Sequence, residues 1–257
     1  MSGSTAVLMI GIDGLSLDTL TRYKRYVKTL NKLMKQGFYS VVKSPKPLLT
    51  STINATILTG LKPERHCIFD FVNITKNYEF KLISSIDVPY YFWDLLPSEY
   101  KVLLINVPLT YPAPVVRGYV ISDFMAPSIY SRGAYYPMNL LQRLEPLISK
   151  YKVDLDITDL SSPLKAINEA LTSINVRTEI AKYLIEILDV NFVYVYFQEL
   201  DRILHYYPQS SVLIRVLKAL DNAVCSLIKT FERIFNNLSS LTLKNTRYFL
   251  RSDRMVG

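Results

Sequence analysis

The stretch Ala6-Val-Leu-Met-Ile-Gly-Ile-Asp13-Gly14 decides the fold. Seven residues without a charge run directly into an aspartate and a glycine. An alternating pattern would mark a strand with one wet face; a continuous apolar run marks a strand buried on both faces, as in the centre of a parallel sheet. Ser16 then offers a cap for a helix. Leu20, Tyr23, Val27, Leu30 and Met34 recur at helical spacing to about Lys35, and Gly37 closes that helix.

The same alternation continues along the chain. Strands are expected at Phe38–Val42, Lys101–Asn106, Asn191–Phe197 and Arg247–Leu250. Helices are expected at Tyr91–Leu96, from about Leu164 to Leu188, and from about Val212 to Phe235. The last carries Leu213, Val216, Leu217, Leu220, Val224, Leu227, Ile228 and Phe231 on one face. Strands alternating with helices predict an α/β fold with a mainly parallel sheet flanked by helices on both faces. Residues 113 to about 160 are rich in Pro, Tyr and turn formers, and are expected as a cap-like insertion in a single domain spanning 1–257.

Composition bounds the partners. The 257 residues are 49% hydrophobic, enough for a sizeable core, and carry a net charge of +8. That charge favours anionic partners such as phosphate esters or nucleotides. The cations are scattered, with short clusters such as Arg22 to Lys28, so a nucleic acid is not the expected partner. Two distant cysteines, Cys67 and Cys225, suit the reducing cytoplasm, and no apolar run reaches membrane-spanning length. The first twelve residues lack the basic start of a secretory leader.

Three aspartates, Asp13, Asp201 and Asp253, stand just past expected strands, at the sheet edge where ligands bind in open parallel sheets. Carboxylates converging there call for a cation between them. His205 follows Asp201 by four residues, one helical turn, and an Asp/His set suits zinc, manganese or iron. A second cluster, Thr50-Ser-Thr-Ile-Asn54-Ala-Thr56, opens another expected helix after Pro45 and Pro47. A threonine oxygen there, at the positive end of a helix and beside a metal, becomes a usable nucleophile.

Taken one at a time, an aspartate after a strand is most often a cap or turn residue. Order and context add more. Ile10-Gly-Ile-Asp13-Gly, then Thr50 with Thr59-Gly-Leu-Lys-Pro-Glu-Arg-His66, then Asp201-Arg-Ile-Leu-His205 resemble the type I phosphodiesterase/nucleotide pyrophosphatase family of the alkaline phosphatase superfamily. Trp93-Asp-Leu-Leu and Asn106-Val-Pro-Leu-Thr-Tyr-Pro112 resemble its archaeal and bacterial branch.

The resemblance implies an alkaline-phosphatase-like fold and a two-metal site, usually zinc. In it Thr50 is the nucleophile, and Asp13, Thr50, Asp201, His205 and Asp253 are the metal contacts. His66 matches a tail histidine and is expected to hold the loop; Asn54 is a possible phosphoryl contact. The implied activity is hydrolysis of small-molecule phosphate esters or nucleotides. Position 50 being Thr argues against a sulfatase.

Departures stand beside the match. Ser252-Asp253-Arg254-Met255 replaces the family's Ser-Asp-His-Gly, and the chain holds only two histidines, His66 and His205. Two of the family's three ligand histidines are thus absent from this sequence, whose family pattern would continue beyond Gly257. The alternative expectation is therefore a truncated relative that keeps the fold and binds anions without turnover.

Overall fold

Strand β1 (Val7–Ile12) runs parallel to β7 (Phe192–Phe197) in continuous register, from Val7 opposite Phe192 to Ile12 opposite Phe197. In this computed structural model, residues 6–144, 147–156, 162–208, 211–238 and 248–249 are described. All six β7 side chains are buried, as expected of a central strand. The described sheet has the order β6-β5-β4-β7-β1-β8, with β4 at Val102–Ile105, β5 at Gly118–Ile121, β6 at Tyr135–Tyr136 and β8 at Tyr248–Phe249. Within this sheet every pairing is parallel except β5 with β6, and β2 (Val72–Ile74) and β3 (Phe80–Leu82) form a separate antiparallel pair.

The pleat divides the core in two. Leu8, Ile10 and Ile12 join Val193, Val195 and Phe197 under the helices α2 (Lys28–Gln36), α6 (Pro163–Ile187) and α8 (Ser211–Leu238). On the other face Phe192, Tyr194 and Tyr196 pack with Ala55 and Leu58 of α3 (Thr50–Thr59) and with Trp93. The helices expected after 164 and after 212 form essentially where periodicity put them. Tyr91–Leu96 is a shorter 3-10 turn at Phe92–Leu95.

Three local expectations are corrected. The helix expected to run from Ser16 to Lys35 is broken into α1 (Leu17–Arg22), a 3-10 turn (Lys24–Tyr26) and α2. The cause is distant in sequence: Asp221 on α8 accepts hydrogen bonds from the backbone N–H groups of Thr29 (3.0 Å) and Leu30 (2.9 Å), capping a new helix start. Phe38–Val42 is no strand; Phe38 is 95% and Val42 80% exposed. The place beside β1 is taken by β8, through Leu8 opposite Tyr248 and Met9 opposite Phe249. Finally, part of the segment 113–160 is sheet. There β5 continues the parallel order beside β4, and β6 returns antiparallel on it.

Gly118 explains how β5 can lie so close. Its φ is +143°, and a Cβ there would stand 1.9 Å from the Val102 carbonyl oxygen. Both the dihedral and the contact exclude a side chain. Gly118→Ala is expected to lower stability by at least about 2 kcal/mol, read as a fall in the urea midpoint.

Four parallel strands end on the same side. Asp13 follows β1, Asn106 follows β4, Asp123 follows β5, and Gln198 to Asp201 follow β7. All of these polar side chains are buried.

Candidate active site

The turn after β1 places Asp13. Its backbone N–H bonds the Phe197 carbonyl (2.9 Å), continuing the β1–β7 ladder for one more residue. Gly14 follows at φ +73°, and a Cβ there would meet the Asp201 backbone at 2.9 Å. That glycine therefore lets the β1 turn lie directly against the start of α7 (Glu199–Tyr206). Asp13 and Asp201 sit 4% and 6% exposed on the two sides of this contact.

Thr50 is the first residue of α3, with Leu49 as a cap that offers no side-chain hydrogen bond. Its Oγ1 donates to Asp13 Oδ2 at 3.2 Å, while Asp13 Oδ1 accepts from the Gly14 N–H at 3.1 Å. The hydroxyl and the carboxylate are thus at hydrogen-bonding distance. On α7, Asp201 Oδ2 and His205 Nε2 stand 3.5 Å apart, and the His205 side chain is 46% exposed.

Asn54 does not face outward. It is buried, and its Nδ2 donates to the Thr50 carbonyl (2.8 Å) and to the Tyr196 hydroxyl (3.2 Å). It anchors the first turn of α3 to β7. His66 is buried and hydrogen-bonded within its own segment. Its Nδ1 accepts from the Ile68 N–H (3.0 Å), which leaves Nε2 protonated to donate to Thr56 Oγ1 (3.1 Å). Burial holds its pKa below the ordinary histidine value, against the pull of Glu64.

A divalent metal has donors of fitting type here: carboxylate oxygens from Asp13 and Asp201, an imidazole nitrogen from His205 and the Thr50 hydroxyl. They form two pairs, and among the described residues no group of three His, Cys, Asp or Glu converges. Asp253 and Arg254 lie outside the described residues.

Several residues of this edge are not singled out by sequence reasoning. Arg202, next to Asp201, makes a two-pronged pair with Asp154 and lies over the Phe124 ring. Burial opposes its charge most, but the Asp154 hydrogen bonds and the negative charges of Asp154, Asp201 and Asp13 together outweigh it and raise its pKa. Gln198 accepts a hydrogen bond from Asn106 and donates to the Val153 carbonyl (2.9 Å). Behind them Arg177 of α6 forms a fully buried ion pair with Glu199, which also accepts from Ser173 (2.7 Å).

Asp123 had a visible signal, since Gly-Tyr-Val-Ile-Ser-Asp123 repeats the apolar-run-then-aspartate form of the Asp13 segment. Its oxygens accept from the backbone N–H groups of Leu109 (2.6 Å) and Met125 (3.3 Å). Burial nevertheless pushes its pKa up to about 7. In the unfolded chain this carboxyl ionises near pH 4, so folding takes up a proton between there and about pH 7. Stability should therefore fall as pH rises through that window, by on the order of 4 kcal/mol in total. Urea midpoints at pH 5 and pH 8 should show this fall in the wild type and little of it in Asp123→Asn.

The geometry defines a class: an open α/β sheet with a threonine, carboxylates and a histidine at its carboxyl edge. Solved structures share the fold. The chain superposes on the phosphonoacetate hydrolase of Sinorhizobium meliloti 1021 in complex with phosphonoacetate at a TM-score of 0.62 and 15% identity, over 88% of this chain and 53% of that one. Murine ectonucleotide pyrophosphatase/phosphodiesterase 5 superposes at 0.58 and 15% identity, over 97% and 57%. An inactive threonine-to-alanine form of that murine protein, in complex with AMP, superposes at 0.58 and 14% identity, over 90% and 54%. The fold is alkaline-phosphatase-like, and the chain spans a little over half the length of these structures.

The family pattern of the type I phosphodiesterase / nucleotide pyrophosphatases matches residues 7–240. The chain belongs to that family. Comparison with curated protein sequences finds no match.

Proposed function

We propose that the chain is a metal-dependent phosphoric ester hydrolase that acts on small-molecule phosphodiesters or nucleotides with Thr50 as nucleophile. The observation that carries this reading is the Thr50 hydroxyl at the start of α3, donating to Asp13 at 3.2 Å. Family membership and the inactive threonine-to-alanine form of the murine neighbour support it.

In this mechanism the start of α3 orients phosphate by its dipole and free N–H groups. Thr50 Oγ attacks phosphorus in line as its proton passes to Asp13, the P–O bond to the alcohol or nucleotide breaks, and the leaving oxygen is protonated from solvent, to which Asp13 returns its proton. Water then cleaves the phospho-threonine and restores the hydroxyl. Asp13, Thr50, Asp201 and His205, with Asp253 as the further implied donor, are the residues that would hold the metal. A bound divalent cation, zinc first, would lower the threonine pKa and neutralise the phosphoryl oxygens. Asn54 keeps the first turn of α3 in place through Tyr196. The two free cysteines fit a cytoplasmic location, and no described helix is long and apolar enough to cross a membrane.

One observation favours a second reading, in which the same edge holds an anion without turnover: among the described residues the donors stand as two pairs and not as one shell. Hydrolysis of a nitrophenyl phosphodiester, with zinc or manganese added, separates the two. A metal-stimulated rate that Thr50→Ala abolishes supports the hydrolase; equal rates for both proteins overturn it.

A further inference from the structure

We infer that Arg202 sets the cation affinity of this edge and that Asp154 is the latch that holds it back, an inference that rests on the metal reading above. Arg202 immediately follows Asp201 on α7. Its Nε lies 3.2 Å from both Asp154 oxygens, and its Nη2 lies 2.7 Å from Asp154 Oδ2. The guanidinium sits 5.0 Å from the centre of the Phe124 ring, which meets Phe71 edge-on at 5.4 Å. The remaining amino group, Nη1, stands 4.0 Å from Asp201 Oδ2. A carboxylate proposed to take a divalent cation therefore already has a fixed positive charge on its rim.

The guanidinium does not lose its proton at any ordinary pH, so only its position can vary. Asp154 controls that position, and it is itself anchored. Its Oδ1 accepts from the Leu155 N–H at 2.8 Å and lies 3.4 Å from Gln198 Nε2. Gln198 in turn is gripped by Asn106 at the end of β4. The latch is thus tied to the sheet edge. Held on Asp154, Arg202 keeps its Nη1 4.0 Å from Asp201 Oδ2, beyond hydrogen-bonding distance. Released, its nearest anionic partner is Asp201, where it competes with any incoming cation and repels it at close range.

The experiment is titration calorimetry of the full chain with zinc alone and with manganese alone. Arg202→Gln is expected to bind zinc about tenfold or more tightly than the wild type. Asp154→Asn frees the guanidinium and is expected to weaken binding about tenfold. The double variant should match Arg202→Gln, because the latch has nothing left to hold. Arg202→Lys keeps the charge without the fork, and its affinity should stay at or below that of the wild type.

A merely structural Asp154–Arg202 pair predicts weaker binding in both single variants. That result overturns the inference, as does an Arg202→Gln protein no tighter than wild type, or a double variant that behaves like Asp154→Asn. Urea midpoints of the four variants beside the wild type identify any that fail to fold. Failure of the hydrolase reading is read separately, from the phosphodiester rate of Thr50→Ala.

Discussion

Thr50→Ala should lower phosphodiester hydrolysis by about three orders of magnitude or more, roughly 4 kcal/mol of transition-state stabilisation. The alanine removes the only atom proposed to bond phosphorus and leaves Asp13 Oδ2 without its hydroxyl donor. The fold has little reason to notice. Leu49, not Thr50, caps α3, and the Thr50 carbonyl still accepts from Asn54. The urea midpoint should therefore move by less than about 1 kcal/mol. Thr50→Ser keeps the hydroxyl at the same helix start and should retain most of the rate. A loss of stability that parallels the loss of rate would make Thr50 a structural residue and remove it from the mechanism.

The largest effect on stability is expected at Arg177. This guanidinium is fully buried against Glu199, with the Tyr151 and Phe197 rings 5.7 and 5.9 Å away. Arg177→Met leaves the Glu199 carboxylate buried with Ser173 as its one side-chain partner among the described residues, and should cost about 3–5 kcal/mol. The pair itself is not expected to be worth that much. One Glu199 oxygen and two Arg177 nitrogens have no hydrogen-bond partner among the described residues. Replacing both partners, as in Arg177→Met with Glu199→Leu, should therefore recover much of the loss. Urea unfolding of the two single variants and the double variant reads this directly; a double variant as unstable as Arg177→Met would contradict it. Glu199 opens the helix that carries Asp201 and His205, so the single variants should also disturb the site.

How much of this was legible in the sequence depends on the range of the interaction. The runs Val7–Ile12 and Phe192–Phe197 announce central strands because burial on both faces leaves no polar position to alternate. Thr50 and Asp13 are legible as neighbours of strand ends and helix starts, which are local features. Phe38–Val42 has the composition of a strand, but the place beside β1 is taken by β8. Segment 113–160 looks like loop by its prolines and tyrosines, yet β5 within it completes a parallel order that only its pairing with β4 reveals. Arg177 sits at helical spacing with Ile174, Ile180 and Ala181, where the sequence marks a buried face but not its ionic partner.

The sequence by itself determined the α/β class, the central strands and the long helices, and it named Asp13, Thr50, Asp201 and His205 as candidates for one edge. Periodicity and capping act within a few residues, and the chain order states them directly. Only the tertiary structure decided which of those residues meet. It put the Thr50 hydroxyl on Asp13, turned Asn54 inward onto Tyr196, started α2 from Asp221, and set Arg202 between Asp154 and Asp201. These are contacts between groups from 37 to 192 residues apart, or between neighbours whose direction a distant partner sets. They arise from packing two layers of helices onto one sheet, which local propensity does not encode.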